Sequence, residues 1–371
     1  MKLLWCELED FRSYGRVRLN CHPRANLLTG ENGEGKTNLL EALYFLASAT
    51  PLRGHRGADL IRQGSEKAGV CGEVELDAGG RAELRVVLSS EGRELFLRGK
   101  RVERAVEYFG NLEIVAFTPT DIQLFAASPA ERRRFLDRMI FNHDPAYLDT
   151  ARKFRRTLAQ RNRLLLEIAR GERGEAELDA WDGPYAELAA EVTRRRAALV
   201  RSVGSRLADT YRKIFGSAPD EPVEMRYRSE IRLLEENPAA ETLRPWLLEK
   251  RRGDVRRGTT QLGPHRDEIL FEIGGRPVVS HASQGQRRIL LLALKLAEVL
   301  SLAEERWERP VVLLDDLSSE LDAARAERAL SCLLELGAQL FVTTTAEGTW
   351  GKVFGKDLSR FRVAGGTIEA A

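Results

Sequence analysis

Thr29-Gly30-Glu31-Asn32-Gly33-Glu34-Gly35-Lys36-Thr37-Asn38 follows directly on the apolar run Ala25–Leu28. Glycines, lacking a Cβ, let successive backbone N–H groups converge on one anion. A helix starting where the loop ends aims its positive end at the same point. Gly30-x-x-x-x-Gly35-Lys36-Thr37 meets every position of the phosphate-loop pattern, between the strand and the helix that the pattern requires. In such a loop Lys36 reaches the β- and γ-phosphates of a nucleoside triphosphate, and the Thr37 hydroxyl ligates Mg2+. A glycine-rich turn with a chance lysine is the competing reading, and the flanking strand and helix weigh against it. Gly30, Asn32, Gly33, Gly35, Lys36, Thr37 and Asn38 are the expected nucleotide-binding residues.

A phosphate loop needs a second metal anchor on a neighbouring strand. Val311–Leu314 is a continuous apolar run ending in Asp315 and Asp316. Asp315 stands where the metal is held, through water, and Asp316 where the attacking water is oriented or deprotonated. A strand that merely ends in acids is plausible alone but weak beside a phosphate loop.

Ser283-Gln284-Gly285-Gln286 lies 32 residues before Asp315 and opens a helix. It resembles the S-G-G-Q signature of ABC-type ATPases, with Gln284 departing from the pattern. A hydroxyl, a glycine backbone and a helix N-terminus make another anion site. The competing reading is an ordinary cap, Ser283 at N-cap and Gln286 at N3. A second phosphate site so far along one chain makes sense if it completes the nucleotide site of another copy, so that Ser283, Gly285 and Gln286 grip a triphosphate between two subunits. Ser319-Glu320-Leu321-Asp322 resembles the D-loop of that superfamily. Thr343-Thr344-Thr345 ends a strand in the place of the γ-phosphate switch. Asp316, Lys36, Ser283 and Thr345 are the expected catalytic set.

These residues must be positioned by an α/β frame. KLLWCELEDF alternates, ANLLTG leads into the loop, and NLLEALYFLA has helical period. GVCGEVEL, AELRVVLS and LFLRG are β-like, and LEIVAFTP reads as a buried strand closed by Pro119. From about 129 to 215 the pattern is helical, with two long helices folded back on each other across GERGEAELDAWDGP. VEMRYR and DEILFEIGG return to strand character, RPVVLLDD reads as a central parallel strand, and AQLFVTTT as another. The expected fold is an ABC-type α/β head with an inserted helical lobe. Its parts are 1–128 with the phosphate loop and a β subdomain, 129–220 as the lobe, and 221–371 with the signature, the acid strand and the switch.

The chain has 371 residues, 43% apolar and 31% charged, with a formal net charge of +2. That charge says little of partners, but its distribution says more. Between Ala151 and Ile214, 15 Lys/Arg stand against 9 Asp/Glu, an excess of +6, and basic clusters recur at Arg132–Arg134, Arg194–Arg196 and Arg251–Arg257. A solvated helix face explains any one cluster; several together point to a polyanion. Arg132, Arg133, Arg134, Arg152, Lys153, Arg155, Arg156 and Arg161 are the expected DNA-phosphate contacts. Without an aromatic ladder or recognition helix, binding to backbone and shape with strong salt dependence is expected. Four scattered cysteines imply no disulfide framework and a reducing cytosol. The longest apolar stretch, from Ile289, is broken by Lys295 and Glu298 and suits a core helix, so no membrane partner is expected.

Read together, FRSY from Phe11, GENGEGKTNLLEAL, FTPTDIQLFAASPAERRRFLD from Phe117, LAQRN from Leu158, GPHRDE from Gly263, ASQGQRR from Ala282, LLDDLSSELD from Leu313 and FVTTT from Phe341 resemble the RecF family of bacterial recombination and gap-repair ATPases over essentially the whole length. The resemblance implies a head similar to those of chromosome-maintenance ATPases without their long coiled coil. It implies ATP and Mg2+ as cofactors, ATP-dependent homodimerisation and slow, DNA-stimulated hydrolysis. It also implies binding to duplex and to gapped or junction DNA, in the cytoplasm at the nucleoid. RecO and RecR are the implied partners in loading RecA, with single-strand-binding protein as an indirect one.

By position the resemblance gives Lys36 and Thr37 the phosphates and Mg2+, Asp315 the Mg2+, Asp316 the hydrolytic acid and Ser283 the γ-phosphate of a second copy. Gln123, the one glutamine in FTPTDIQL, takes the place of a metal-sensing glutamine. Transporter-type sites carry glutamate where Asp316 stands, one methylene longer. Arg53 in TPLRGHR, where Thr50 replaces the family's lysine, has two readings, a contact to base or phosphate and a surface arginine. Arg12 is open between a phosphate contact and a salt bridge, and His265 between a site role and a structural one. The rival classes are a transporter's nucleotide-binding subunit, disfavoured by the altered signature and the basic insertion, and an ATP-binding scaffold without catalysis.

Overall fold

The structure, a computed structural model, describes residues 1–53, 57–216, 221–231, 240–306, 309–316, 322–345, 354–355 and 357–371. Its strands are β1 (Lys2–Phe11), β2 (Tyr14–Asn20), β3 (Ala25–Thr29), β4 (Lys67–Glu75), β5 (Arg81–Ser89), β6 (Gly92–Leu97), β7 (Lys100–Arg101) and β8 (Ile114–Phe117). They continue with β9 (Val223–Arg228), β10 (Glu268–Ile273), β11 (Arg276–Pro277), β12 (Val311–Leu314), β13 (Gln339–Thr344), β14 (Ser359–Ala364) and β15 (Thr367–Ala370). Contacts divide the chain into two units, Met1–Ile122 with Asp209–Asp220 and Ser283–Ala371, and Gln123–Ala208 with Glu221–Ala282.

The first unit holds two six-stranded sheets. One has the order β2-β1-β4-β5-β6-β7 and is antiparallel throughout. Its β5 alternates buried Ala82, Leu84, Val86 and Leu88 with more exposed neighbours, as a sheet with one covered face requires. The other has the order β15-β14-β3-β13-β12-β8, parallel from β14 to β8. Strands β3, β12 and β13 are buried at every residue, which is why they read as mainly apolar runs without alternation. The helix Lys36–Ser48 leaves β3 through the glycine loop and buries Leu39, Leu40, Leu43, Phe45 and Leu46. Gln284–Arg306, the expected core helix, packs Ile289 through Leu294 inward. Among the described residues no helix is long and apolar enough to cross a membrane.

The second unit is built on helices Pro129–His143, Tyr147–Ala169 and Ala240–Arg257, and on Asp179–Phe215 as far as Ala208, with the small antiparallel sheet β11-β10-β9. Ser128 and Glu131 form a reciprocal capping box that starts the first of these helices. Leu164, Leu165, Ile168 and Leu178 form a buried cluster against Trp181 and Val255. Two expectations change. Residues 221–282, assigned from sequence to the head, cluster with the helices, because β9, β10 and Ala240–Arg257 find their partners there. The connection between the long helices is also shorter, since the second begins at Asp179 and carries Pro184 inside its second turn.

Candidate functional site

Backbone geometry explains the glycines of the loop. Gly30, Gly33 and Gly35 have φ of 151°, 89° and 111°, values that residues with a Cβ rarely adopt. A Cβ on Gly30 would lie 2.3 Å from the carbonyl oxygen of Val363 on β14, and one on Gly35 would lie 2.9 Å from Ser13 Oγ. The buried Tyr14 hydroxyl donates to Gly35 O at 2.9 Å and fixes the loop from the β1–β2 turn. Lys36 Nζ donates to the carbonyls of Gly30 and Glu31 at 2.6 and 2.7 Å, so the ammonium sits in the middle of the loop. Burial lowers its pKa, against the pull of Asp316, Asp315 and Glu34. Beside the loop opens a cleft of about 590 Å3, large enough for a nucleotide, lined by Gly30, Asn32, Glu34, Thr345 and Arg362 among others.

Parallel pairing brings the acid strand to this loop. The Thr37 hydroxyl donates to Asp315 Oδ1 at 3.0 Å, and the Thr343 hydroxyl donates to the same oxygen at 2.8 Å. Burial raises the Asp315 pKa, while the Thr343 and Thr37 hydrogen bonds and the nearby Arg53 oppose the shift. Hydroxyl bonds to a charged carboxylate of this kind contribute about 1.5–3 kcal/mol each. Asp316 turns into the left-handed region at φ 48°, with its amide bonded to Thr343 Oγ1 at 2.8 Å. Thr37 and Asp315 offer hard oxygen donors, which suit Mg2+.

Sequence reasoning missed Glu41, and it placed Thr343 in the switch triplet without seeing its bonds to Asp315 and Asp316. Glu41, fully buried on the helix after the loop, accepts from Arg12 Nε at 2.9 Å and from Arg53 Nη2 at 3.1 Å. Arg53 also reaches Asn38 Oδ1 at 3.0 Å, and Asn38 donates to Ser13 Oγ at 3.1 Å. Both open arginines are thus ion-paired beside the loop. The signal for Glu41 was an acid within NLLEALYFLA, flanked by leucine and alanine. The signal for Thr343 was a hydroxyl inside a run otherwise fit for a central strand.

The helix cap, the competing reading at Ser283, is present. Ser283 N donates to Gln286 Oε1 at 2.9 Å, and Gln286 N donates back to Ser283 Oγ at 3.2 Å. Ser283 and Gly285 are exposed, and a Cβ on Gly285 would meet only Ser283 Oγ, at 4.0 Å. The chain's own packing therefore does not require that glycine. Thr345, the residue after β13, is exposed on the cleft that Gly30 and Asn32 line. Residues 319–321 of the expected D-loop lie outside the described residues, and Asp322 caps the helix Ala323–Glu335. Gln123 is exposed in the 3₁₀ turn Pro119–Phe125 and is the first residue of the second unit.

The predicted DNA contacts divide. Arg161 is corrected: it is fully buried, with Nε 3.0 Å from Asp182 and Nη1 2.9 Å from Asp254, and holds the helices together. Arg132 is tied to Glu268 at 2.6 Å and Arg133 to the Asp267 carbonyl at 2.8 Å, so both are committed within the unit. Arg134, Arg152, Lys153, Arg155 and Arg156 are exposed. His265 is structural: Nε2 lies 2.9 Å from the Thr260 carbonyl, and burial, aided by Arg266, Arg133 and Arg196, drives its pKa down to about 4.

The chain matches the family model described as RecF/RecN/SMC N terminal domain over residues 3–366. The DNA replication and repair protein RecF of Anaeromyxobacter sp. (strain Fw109-5) is 40% identical over 371 residues, covering 99% of each chain. The protein of that name from Myxococcus xanthus (strain DK1622) is 40% identical over 351 residues, 93% of this chain and 91% of its own. A solved structure of the recombination mediator protein RecF with ATP, in the RecFOR pathway, superposes with a TM-score of 0.89 at 29% identity, covering 100% of this chain and 97% of that one. A Smc head bound to the C-winged helix domain of ScpA shares the fold at a TM-score of 0.57 and 17% identity. The ABC-type α/β head read from the sequence is therefore the fold.

Proposed function

This chain belongs to the RecF family, and from that premise we propose that it is an ATP-dependent DNA-binding protein of recombinational gap repair whose ATP-bound form is a homodimer. The observation that carries the reading is the convergence of Thr37 and Thr343 on one oxygen of Asp315 beside the glycine loop. The loop amides and Lys36 bind the β- and γ-phosphates. Thr37 spends its proton on Asp315 and keeps its lone pairs for a cation, so Thr37 and Asp315 would hold Mg2+. When bound, Mg2+ neutralises phosphate charge as the bond to the leaving group breaks. Asp316 orients the attacking water and takes its proton.

Ser283, Gly285 and Gln286 of a second copy complete the site. The solvent-facing helix tip and the open space over Gly285 support this, since a phosphate or a facing backbone can approach there without a clash. ATP then closes the dimer on DNA and slow hydrolysis, stimulated by DNA, reopens it. Arg134, Arg152, Lys153, Arg155 and Arg156 supply the phosphate contacts to duplex and gapped or junction DNA. RecR and RecO are the proposed partners in loading RecA, with single-strand-binding protein acting indirectly, in the cytoplasm at the nucleoid.

Light scattering and gel shifts on gapped duplex, each without nucleotide, with ATP and with ADP, test the proposal. The native chain should dimerise and bind DNA most tightly with ATP. Ser283→Arg should bind ATP yet stay monomeric, and Lys36→Arg should keep some binding while losing hydrolysis. A Ser283→Arg protein that still dimerises normally refutes the shared site.

A further inference from the structure

Thr343 is the residue to which both acids of the site are fastened. It lies on β13, between β3 and β12, whose parallel register pairs Leu314 with Val342 and so sets Asp315 beside Thr343. The Thr343 hydroxyl oxygen accepts the Asp316 amide proton at 2.8 Å and lies 2.8 Å from Asp315 Oδ1, with the residue 1% exposed. An amide N–H can only donate, so the hydroxyl must accept there and its single proton is left for Asp315. Thr37 sends its own proton to the same oxygen at 3.0 Å. Two hydroxyl protons thus converge on Oδ1, while Oδ2 has no hydrogen-bond partner among the described residues. The amide bond also anchors the left-handed turn that presents Asp316.

We propose that Thr343 is a positioning residue for ATP hydrolysis, its hydroxyl turning the Asp315 carboxylate so that Oδ2 is left for Mg2+ and pinning the backbone turn that carries Asp316. This rests on the reading of the site as a Mg2+-dependent ATPase. Threonine and serine can perform both tasks, because one hydroxyl must accept and donate at once. Valine has the same shape and can do neither.

The test compares native protein, Thr343→Val and Thr343→Ser by ATP turnover titrated with Mg2+, and by binding of a fluorescent ATP analogue with Mg2+ chelated. Loss of a group that orients a metal ligand typically costs 10–100-fold in activity or metal affinity. Thr343→Val should therefore lower kcat by about 10–100-fold and raise the half-saturating Mg2+ concentration by about tenfold. Its metal-free nucleotide affinity should stay within about twofold of native, and Thr343→Ser within about threefold of native on every measure, because the hydroxyl is kept. Should Thr343→Val not fold, Thr343→Ala replaces it in the same comparison. The inference is overturned if the valine protein matches native in kcat and Mg2+ requirement, if serine fails as valine does, or if metal-free binding collapses with turnover. The ATPase reading falls separately if the native protein shows no Mg2+-dependent turnover sensitive to Lys36→Ala.

Discussion

Thr37, Asp315 and Thr343 in the first unit, and Arg161, Asp182 and Asp254 in the second, are both buried polar clusters, and they are finished differently. Around Arg161 the carboxylates are answered from several sides. Asp182 also takes Arg251 at 2.6 Å, Asp254 also takes the Gln261 amide at 2.9 Å, and Thr260 bridges Arg161 at 2.7 Å and Asn162 at 2.7 Å. Around Asp315 one oxygen is answered twice and the other is left over. In the Arg161 cluster both carboxylates are met, although Arg161 Nη2 has no partner among the described residues, and removing the arginine leaves a buried carboxylate without its cation. An open cluster keeps a donor or acceptor for something that arrives later.

The largest effect should come from the Arg161 cluster. Arg161→Met leaves buried Asp254 without a cation and Asp182 with Arg251 alone, and should cost about 3–5 kcal/mol in urea unfolding. A loss under about 1 kcal/mol would show that the cluster is not formed in solution. Asp316→Asn does the converse. Turnover should fall about 100-fold, with the unfolding midpoint nearly unchanged. Unaltered turnover would show that Asp316 is not the hydrolytic acid.

His265 sharpens the contrast through pH. Its folded pKa of about 4 lies below the unfolded value of 6.5, so the unfolded chain binds the proton first. Stability is therefore full above about pH 6.5 and is lost as pH falls toward about 4, by on the order of 3 kcal/mol. His265→Gln should flatten that acid slope in unfolding curves taken at pH 7 and pH 5; an unchanged slope would mean that the imidazole is charged in the fold. The smallest effect belongs to the exposed arginines. Arg152→Gln with Arg156→Gln should leave stability within about 0.5 kcal/mol. The pair should weaken DNA binding several-fold across sequences and reduce the salt slope by about 1 per arginine. Equal binding at low salt would move the DNA surface elsewhere.

The same contrast explains what could be read from the sequence. The glycine loop, the strand before it and the acids after Leu314 were legible because each is a local pattern whose spacing carries its own geometry. Glu41 and the bonds of Thr343 to the acids were not, since their partners arrive through strand register and through residues 28 and 29 positions away. Arg161 was misread because a sequence displays charge but not its counter-charge, and Asp254 is 93 residues distant. The grouping of 221–282 with the helices escaped notice for a similar reason, as strand patterns alone do not say which core they join. Ser283 was read as a phosphate contact with a cap as the competing reading, and the cap that is present is compatible with both.

The left-handed backbone at Asp316 constrains which replacements are within reach. Such a conformation costs about 1–2 kcal/mol for most side chains and less for aspartate or asparagine, whose short polar groups bond locally. Installing the longer glutamate of transporter-type sites would thus ask the turn to bear a residue that it disfavours. The choice of acid at this position is therefore constrained by the main chain as well as by what the side chain must do.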